Sequence, residues 1–183
     1  MPTFDLLPDG QTTQEWAKGT SSNTSSDGTY AEVVDATDGT YLKEVSRRHK
    51  MVFTTANPTI SSSDIQSIDS VKLEADLKYT KNSSFDIDID IRQDVSGSGN
   101  GLDFKNVIGS GPSGGYTTFT GTEETTNPSG NSWTLTDLDN LSIIVELTEA
   151  PAILGRVEIR YFKAIVSYTA AIKDNAVFFG TNF

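Results

Sequence analysis

Three aspartates, Asp86, Asp88 and Asp90, alternate with Phe85, Ile87, Ile89 and Ile91. Strict alternation is the pattern of a strand with one dry and one wet face, so the three carboxylates share a face. Acid oxygens in a row suggest calcium, which takes oxygen ligands at about 2.3–2.6 Å. The spacing works against it. Same-face neighbours on a strand stand about 6.7 Å apart, at a rise of roughly 3.3–3.4 Å per residue, so one ion spans two of them at most. The stripe therefore reads as solvated or subunit-facing acid. The loop from Asp94 to Asp103, with Gly97, Gly99 and Gly101, also carries oxygen ligands on a flexible backbone, and a plain hairpin connection explains it as well. No cofactor and no metal ion is expected.

Hydrolysis of a glycosidic bond needs two carboxylates on either side of it. Glu123, Glu124 and Glu146 are the nominal candidates, and in a chain this acidic they read as ordinary surface acids. The single histidine, His49, has no G-x-S-x-G nucleophile elbow to serve. The chain is expected not to be an enzyme. Trp16, Tyr30, Tyr41 and Trp133 are the rings that could stack on a sugar. Trp133 precedes a helix-capping pattern and reads as core. Trp16, among polar residues, is open between packing and contact.

Two further groups bear on contacts. Arg47, Arg48, His49 and Lys50 form the one basic cluster. It is either a solvated loop or, with Arg47, Arg48 and Lys50 as its cations, a patch that orients an acidic partner. The tail Lys173–Phe183 holds Phe178, Phe179 and Phe183. It either folds back as an edge strand or docks on a neighbouring molecule with the three rings as anchors.

Composition narrows the classes. The net charge of −11 and a pI near 4.4 set the chain against a nucleic-acid backbone. There is no cysteine, hence no disulfide scaffold and no thiolate zinc site. No apolar run approaches the ~18 residues of a membrane span. The start, Met1-Pro2-Thr3-Phe4-Asp5, lacks the basic and apolar regions of a signal peptide. With 183 residues, 36% of them hydrophobic, one domain with a real core is expected. Residues 1–169 are assigned to it, and 170–183 to a C-terminal extension.

The elements that must position these residues are strands. After a segment Thr3–Leu7 and a Pro8-Asp9-Gly10 turn, period-2 runs and turn residues place about nine of them, at Thr29–Val34, Thr40–Val45, Met51–Thr55, Ser70–Thr80, Phe85–Arg92, Leu102–Ile108, Tyr116–Thr122, Ser142–Leu147 and Arg156–Thr169. In Arg156–Thr169 apolar residues fall on both faces, which implies a strand covered on both sides over part of its length and a surplus of apolar surface. Thr136 and Asp139 have the spacing of a capping box and predict one short helix near 136–141. The fold class expected is all-β: an antiparallel β-sandwich of jelly-roll type.

These pieces come in a familiar order. Leu7-Pro8-Asp9-Gly10, Trp16, Tyr30 to Asp35 and Thr40-Tyr41-Leu42 resemble the opening of a class of tailed-bacteriophage structural proteins. Ser67 to Asp76, then Ser132 to Leu141, then Arg156 to Tyr168 resemble its later segments. The resemblance spans roughly residues 5–169. It implies a jelly-roll module of the virion, of the head decoration, cement or head-fibre type, and carries over no catalytic residue. The role it implies is that of a capsid decoration or cement protein, which binds the outer head surface and stabilises neighbouring capsomers. Its partner would be the major capsid protein, with no nucleic acid and no membrane; copies of itself are expected too, a trimer being favoured, because Phe85–Arg92 and Arg156–Thr169 together imply more apolar surface than one small sandwich hides. Its location would be the virion, assembled in the host cytoplasm. The alternative is a host-glycan-binding module of a tail or head fibre.

Overall fold

The structure, a computed structural model, describes residues 1–20, 26–35, 37, 39–44, 48–80, 88–95, 104–110, 115–149 and 156–173. Twelve strands lie among them: β1 (Thr3–Leu6), β2 (Pro8–Gln14), β3 (Ala17–Thr20), β4 (Ser26–Asp27), β5 (Thr40–Glu44), β6 (Lys50–Thr55), β7 (Ile65–Thr80), β8 (Asp88–Asp94), β9 (Phe104–Ser110), β10 (Thr117–Thr120), β11 (Ser142–Glu149) and β12 (Arg156–Ala170). One sheet has the order β10-β7-β12-β5-β3-β4, with β1 pairing alongside β12; the other runs β2-β6-β11-β8-β9. All pairings among the described residues are antiparallel. The chain passes from one sheet to the other at most connections, and the result is the expected antiparallel sandwich of jelly-roll type with one short helix.

Alternation sets the core. In β7, Val71, Leu73, Ala75 and Leu77 are buried, as their period-2 spacing predicts. They meet Met51 and Phe53 of β6 and Ile143, Val145 and Leu147 of β11 across the sandwich. The rings of Phe53 and Phe162 pack edge to face at 4.7 Å. Trp16 and Trp133 are both buried in this core. Trp16 donates its indole N–H to the His49 carbonyl at 3.0 Å, and Trp133 donates to the Glu124 carbonyl at 3.0 Å. Trp133 thus packs as expected, and the open question over Trp16 closes on packing.

β12 differs from its expected pattern. Its pairing with β7 matches Ile159 to Leu77 and then Tyr161 to Asp76, so Arg160 is the extra residue of a β-bulge. A bulge shifts the phase of alternation by one. Val157 and Ile159 before it and Phe162, Ala164 and Val166 after it all point into the same core. Five of the apolar residues that the sequence pattern divides between two faces therefore share one face of the folded strand.

Three other local expectations change. Pro8-Asp9-Gly10 begins a strand at the edge of its sheet, where a proline costs no ladder bond. Residues Tyr30–Val33 form a 3₁₀ turn within the stretch expected as a strand. Glu32 fixes that turn: its carboxylate accepts from the Thr29 backbone N–H and hydroxyl and from Lys18. The helix, α1 (Leu135–Asp139), is capped by Thr134 with Asp137, two residues before the expected box. The Asp137 N–H donates to Thr134 Oγ1 at 3.2 Å, and the Thr134 N–H donates to Asp137 Oδ2 at 2.8 Å.

Candidate functional site

The outer face of the larger sheet carries an open cleft of about 250 Å³ lined by Gly39, Thr40, Tyr41, Lys78, Tyr116, Glu158 and Arg160. Register explains the gathering. Lys78 and Glu158 are paired across β7 and β12, and Glu158 is in turn paired with Lys43 of β5. Two residues along β5 on the same face is Tyr41, and two residues along β12 from Glu158 is Arg160. Tyr116 precedes the edge strand β10 and closes the opposite side.

Two tyrosine rings form the walls, 6.5 Å apart between centroids and tilted 60° to each other. Tyr41 is seated on a glycine. Gly19 is its partner across β3 and β5, and a Cβ there would fall 1.9 Å from Tyr41 Cε2. Only a residue without a side chain lets the ring lie against the neighbouring strand. Two cations lie over the Tyr116 ring. The Arg160 guanidinium carbon stands 4.3 Å from its ring centroid and Lys78 Nζ 5.5 Å, distances within cation–π range.

Glu158 is the buried anchor, 1% exposed. It accepts from the Tyr116 hydroxyl at 2.9 Å, from Lys78 Nζ at 3.2 Å and from Arg156 Nε. Burial, and then the charge of Glu158 beside it, push the Tyr116 phenol well above its usual range, so it stays protonated and donating. Arg160 Nε donates to Asp76 Oδ2 at 2.6 Å. Each cation is thus tethered through one edge, with further N–H groups on the same head. Two aromatic walls and fixed polar groups around them form a surface that can take a ring with an apolar face and hydroxyl edges.

No family model matches the chain. No curated protein matches it. Among solved structures it is similar to domains CD (residues 230–489) of a longer protein, at 15% identity and a TM-score of 0.48, over 90% of this chain and 66% of that one. It is also similar to the N-terminal CBM22-1–GH10 modules of endo-1,4-β-D-xylanase 10B from Clostridium thermocellum, solved with xylohexaose, at 8% identity and a TM-score of 0.40, over 93% of this chain and 30% of that one. A third is the family 30 carbohydrate-binding module of the cellulosomal cellulase Cel9D-Cel44B of Clostridium thermocellum, at 15% identity and a TM-score of 0.40, over 96% of this chain and 100% of that one. Likeness at this level gives no correspondence between residues.

Of the sequence candidates, the cleft takes only Tyr41. Tyr30 is exposed at the 3₁₀ turn. Glu123 accepts from the Ser70 hydroxyl of β7 and Glu124 bridges to Val71 of the same strand, while Glu146 sits in β11 of the smaller sheet. Arg48, His49 and Lys50 follow the far end of β5 from the cleft. His49 Nδ1 lies 3.0 Å from Glu44 Oε2, and the Lys50 N–H donates to Glu15 Oε2 at 2.6 Å. Arg47, Asp86, the loop at 96–103 and Phe178, Phe179 and Phe183 lie outside the described residues. For Asp88 and Asp90 the backbone places β8 between β11 and β9. Among the described residues no three His, Asp or Glu side chains gather as a metal site.

Lys78, Tyr116, Glu158 and Arg160 are not among the candidates that the sequence marks out. One signal is present. Arg156, Glu158 and Arg160 alternate at the start of an otherwise apolar strand, and such a charged run on one face asks for something to meet.

Proposed function

We propose that this chain is a non-catalytic binding module that holds a carbohydrate against the outer face of its larger sheet, in the cleft between Tyr41 and Tyr116. The observation that carries this reading is the pair of tilted tyrosine rings with fixed donors between them. A sugar ring offers an apolar C–H face to an aromatic wall and hydroxyls to side chains at its edge, and tyrosine serves both needs. The volume, about 250 Å³, lies below the usual range for a small-molecule pocket, about 300–1,000 Å³. An open sheet face of that size suits one or two rings of a longer chain.

The absence of catalysis belongs to the same proposal. Glu158 is already engaged by three donors, and Asp76 by Arg160. A general acid or base must be able to exchange a proton with substrate. The virion setting is carried by the sequence resemblance alone. Within it the cleft favours the host-glycan reading, because a capsid cement role gives the two rings nothing to do.

A glycan array with the purified chain tests the reading, followed by titration of any ligand found with Tyr41→Ala. Binding to at least one glycan, weakened about tenfold or more by the substitution with little change in melting temperature, is expected. No binding across the array, or affinity unchanged in Tyr41→Ala, would overturn it.

A further inference from the structure

We infer that the cleft prefers a glycan bearing an anionic group, a carboxylate or sulfate on the sugar ring; this rests on the carbohydrate reading above. The charges at the site are layered. The carboxylates lie beneath, Glu158 at 1% exposure and Asp76 at 11%, while the cations stand above them, Lys78 at 28% and Arg156 and Arg160 each at 37%. The face that meets a ligand is therefore cationic, on a molecule whose net charge is −11.

Arg160 is built for such a contact. Its guanidinium is stacked on the Tyr116 ring at 4.3 Å and fixed through Nε to Asp76 at 2.6 Å. A guanidinium presents five N–H donors in a planar fork, so an anchored edge leaves donors suited to bidentate recognition of a carboxylate or sulfate. A stacked and tethered head loses little freedom on binding, and that is the physical content of preorganisation. Alternation from Glu158 puts Arg160 on the same face. Lys78, 5.5 Å from the same ring, adds a second positive charge on the same side.

The experiment compares three probes by titration: a neutral gluco-oligosaccharide, an oligogalacturonate and a sulfated dextran oligomer of similar length. The expected result is a preference for at least one anionic probe over the neutral one of about 10- to 100-fold, the range of a hydrogen bond to a charged group. That preference should shrink toward unity in Arg160→Gln and in Lys78→Gln, and should weaken as salt rises. Galacturonate alone, sulfate alone or both supports the inference and identifies the anion. Neutral binding that depends on Tyr41 without any anionic preference overturns the inference and leaves the carbohydrate reading standing. An anionic preference unchanged in both variants also overturns it, since the anion then sits elsewhere. No binding to any probe, with none on the glycan array, overturns both. Melting curves of both variants accompany the titrations; if Arg160→Gln unfolds, Lys78→Gln decides.

Discussion

Glu32 is buried against Lys18, whose Nζ lies 2.7 Å from Oε1. Burial pushes its carboxyl upward, but the bonds from Lys18 and Thr29 and the Lys18 charge outweigh that, and the net shift is downward. A carboxylate held below its unfolded value stabilises the fold above the ordinary carboxylate range. That contribution is lost as pH falls through the depressed value. Glu32→Gln is therefore expected to cost about 1–3 kcal/mol at pH 7, with the gap to the parent protein closing as the pH is taken below 4.5, the ordinary value. Urea unfolding at several pH values measures it, and a gap that stays constant down to pH 3 would contradict the assignment. Gly19 makes a second claim at this scale. Gly19→Ala drives a methyl into the Tyr41 ring, so ligand binding should fall although stability shifts by only about 1 kcal/mol or less. Titration beside a melting curve checks this; undiminished affinity would mean that the ring is not seated there. Tyr41 is legible in the sequence as a ring that could meet a sugar. Its seat is not, because Gly19 lies in a glycine- and serine-rich stretch that reads as loop until β3 is paired with β5.

At the scale of elements, β7 and β12 show why one strand can be read and the other misread. The alternation of β7 runs unbroken from Val71 to Leu77 and its buried face follows directly. That of β12 is broken at Arg160, and nothing in the local sequence marks the break. It exists only in the register against β7. Deleting Arg160 would remove the bulge and leave a regular ladder, with Ile159 against Leu77, Tyr161 against Asp76 and Phe162, Ala164 and Val166 still on the core face. The deletion variant is therefore expected to keep cooperative unfolding in circular dichroism, as Arg160→Gln does, whereas inserting a residue between Phe162 and Lys163 should lose it, because a slip of one residue exchanges the faces. A deletion variant that loses cooperative unfolding would contradict the assignment of Arg160 as the extra residue. The helix presents a different lesson. Thr134-x-x-Asp137 and Thr136-x-x-Asp139 both fit a capping box. The first is used, and it alone brackets its box with apolar partners, Trp133 before the cap and Leu138 after it, both buried. That staple is present in the sequence and decides between the two.

The whole molecule divides its labour between two faces of one sheet. The inner face of the larger sheet packs with the smaller sheet into the core. Its outer face gathers Lys78, Glu158 and Arg160 with Tyr41 and Tyr116 from outside the central strand pair. Fold class is legible because hydrophobic period and turn residues are local. The cleft is not, because its five main residues come from three strands and one connection, and only sheet order makes them neighbours. The most direct test of the account is a two-dimensional amide NMR titration of the chain with the best ligand from the glycan array. The account predicts that the shifted resonances centre on Gly19, Tyr41, Lys78, Tyr116 and Arg160, and that Tyr41→Ala abolishes the pattern. Shifts confined to the smaller sheet or to the connection around Arg48 and His49, or no shifts with any glycan, would contradict it.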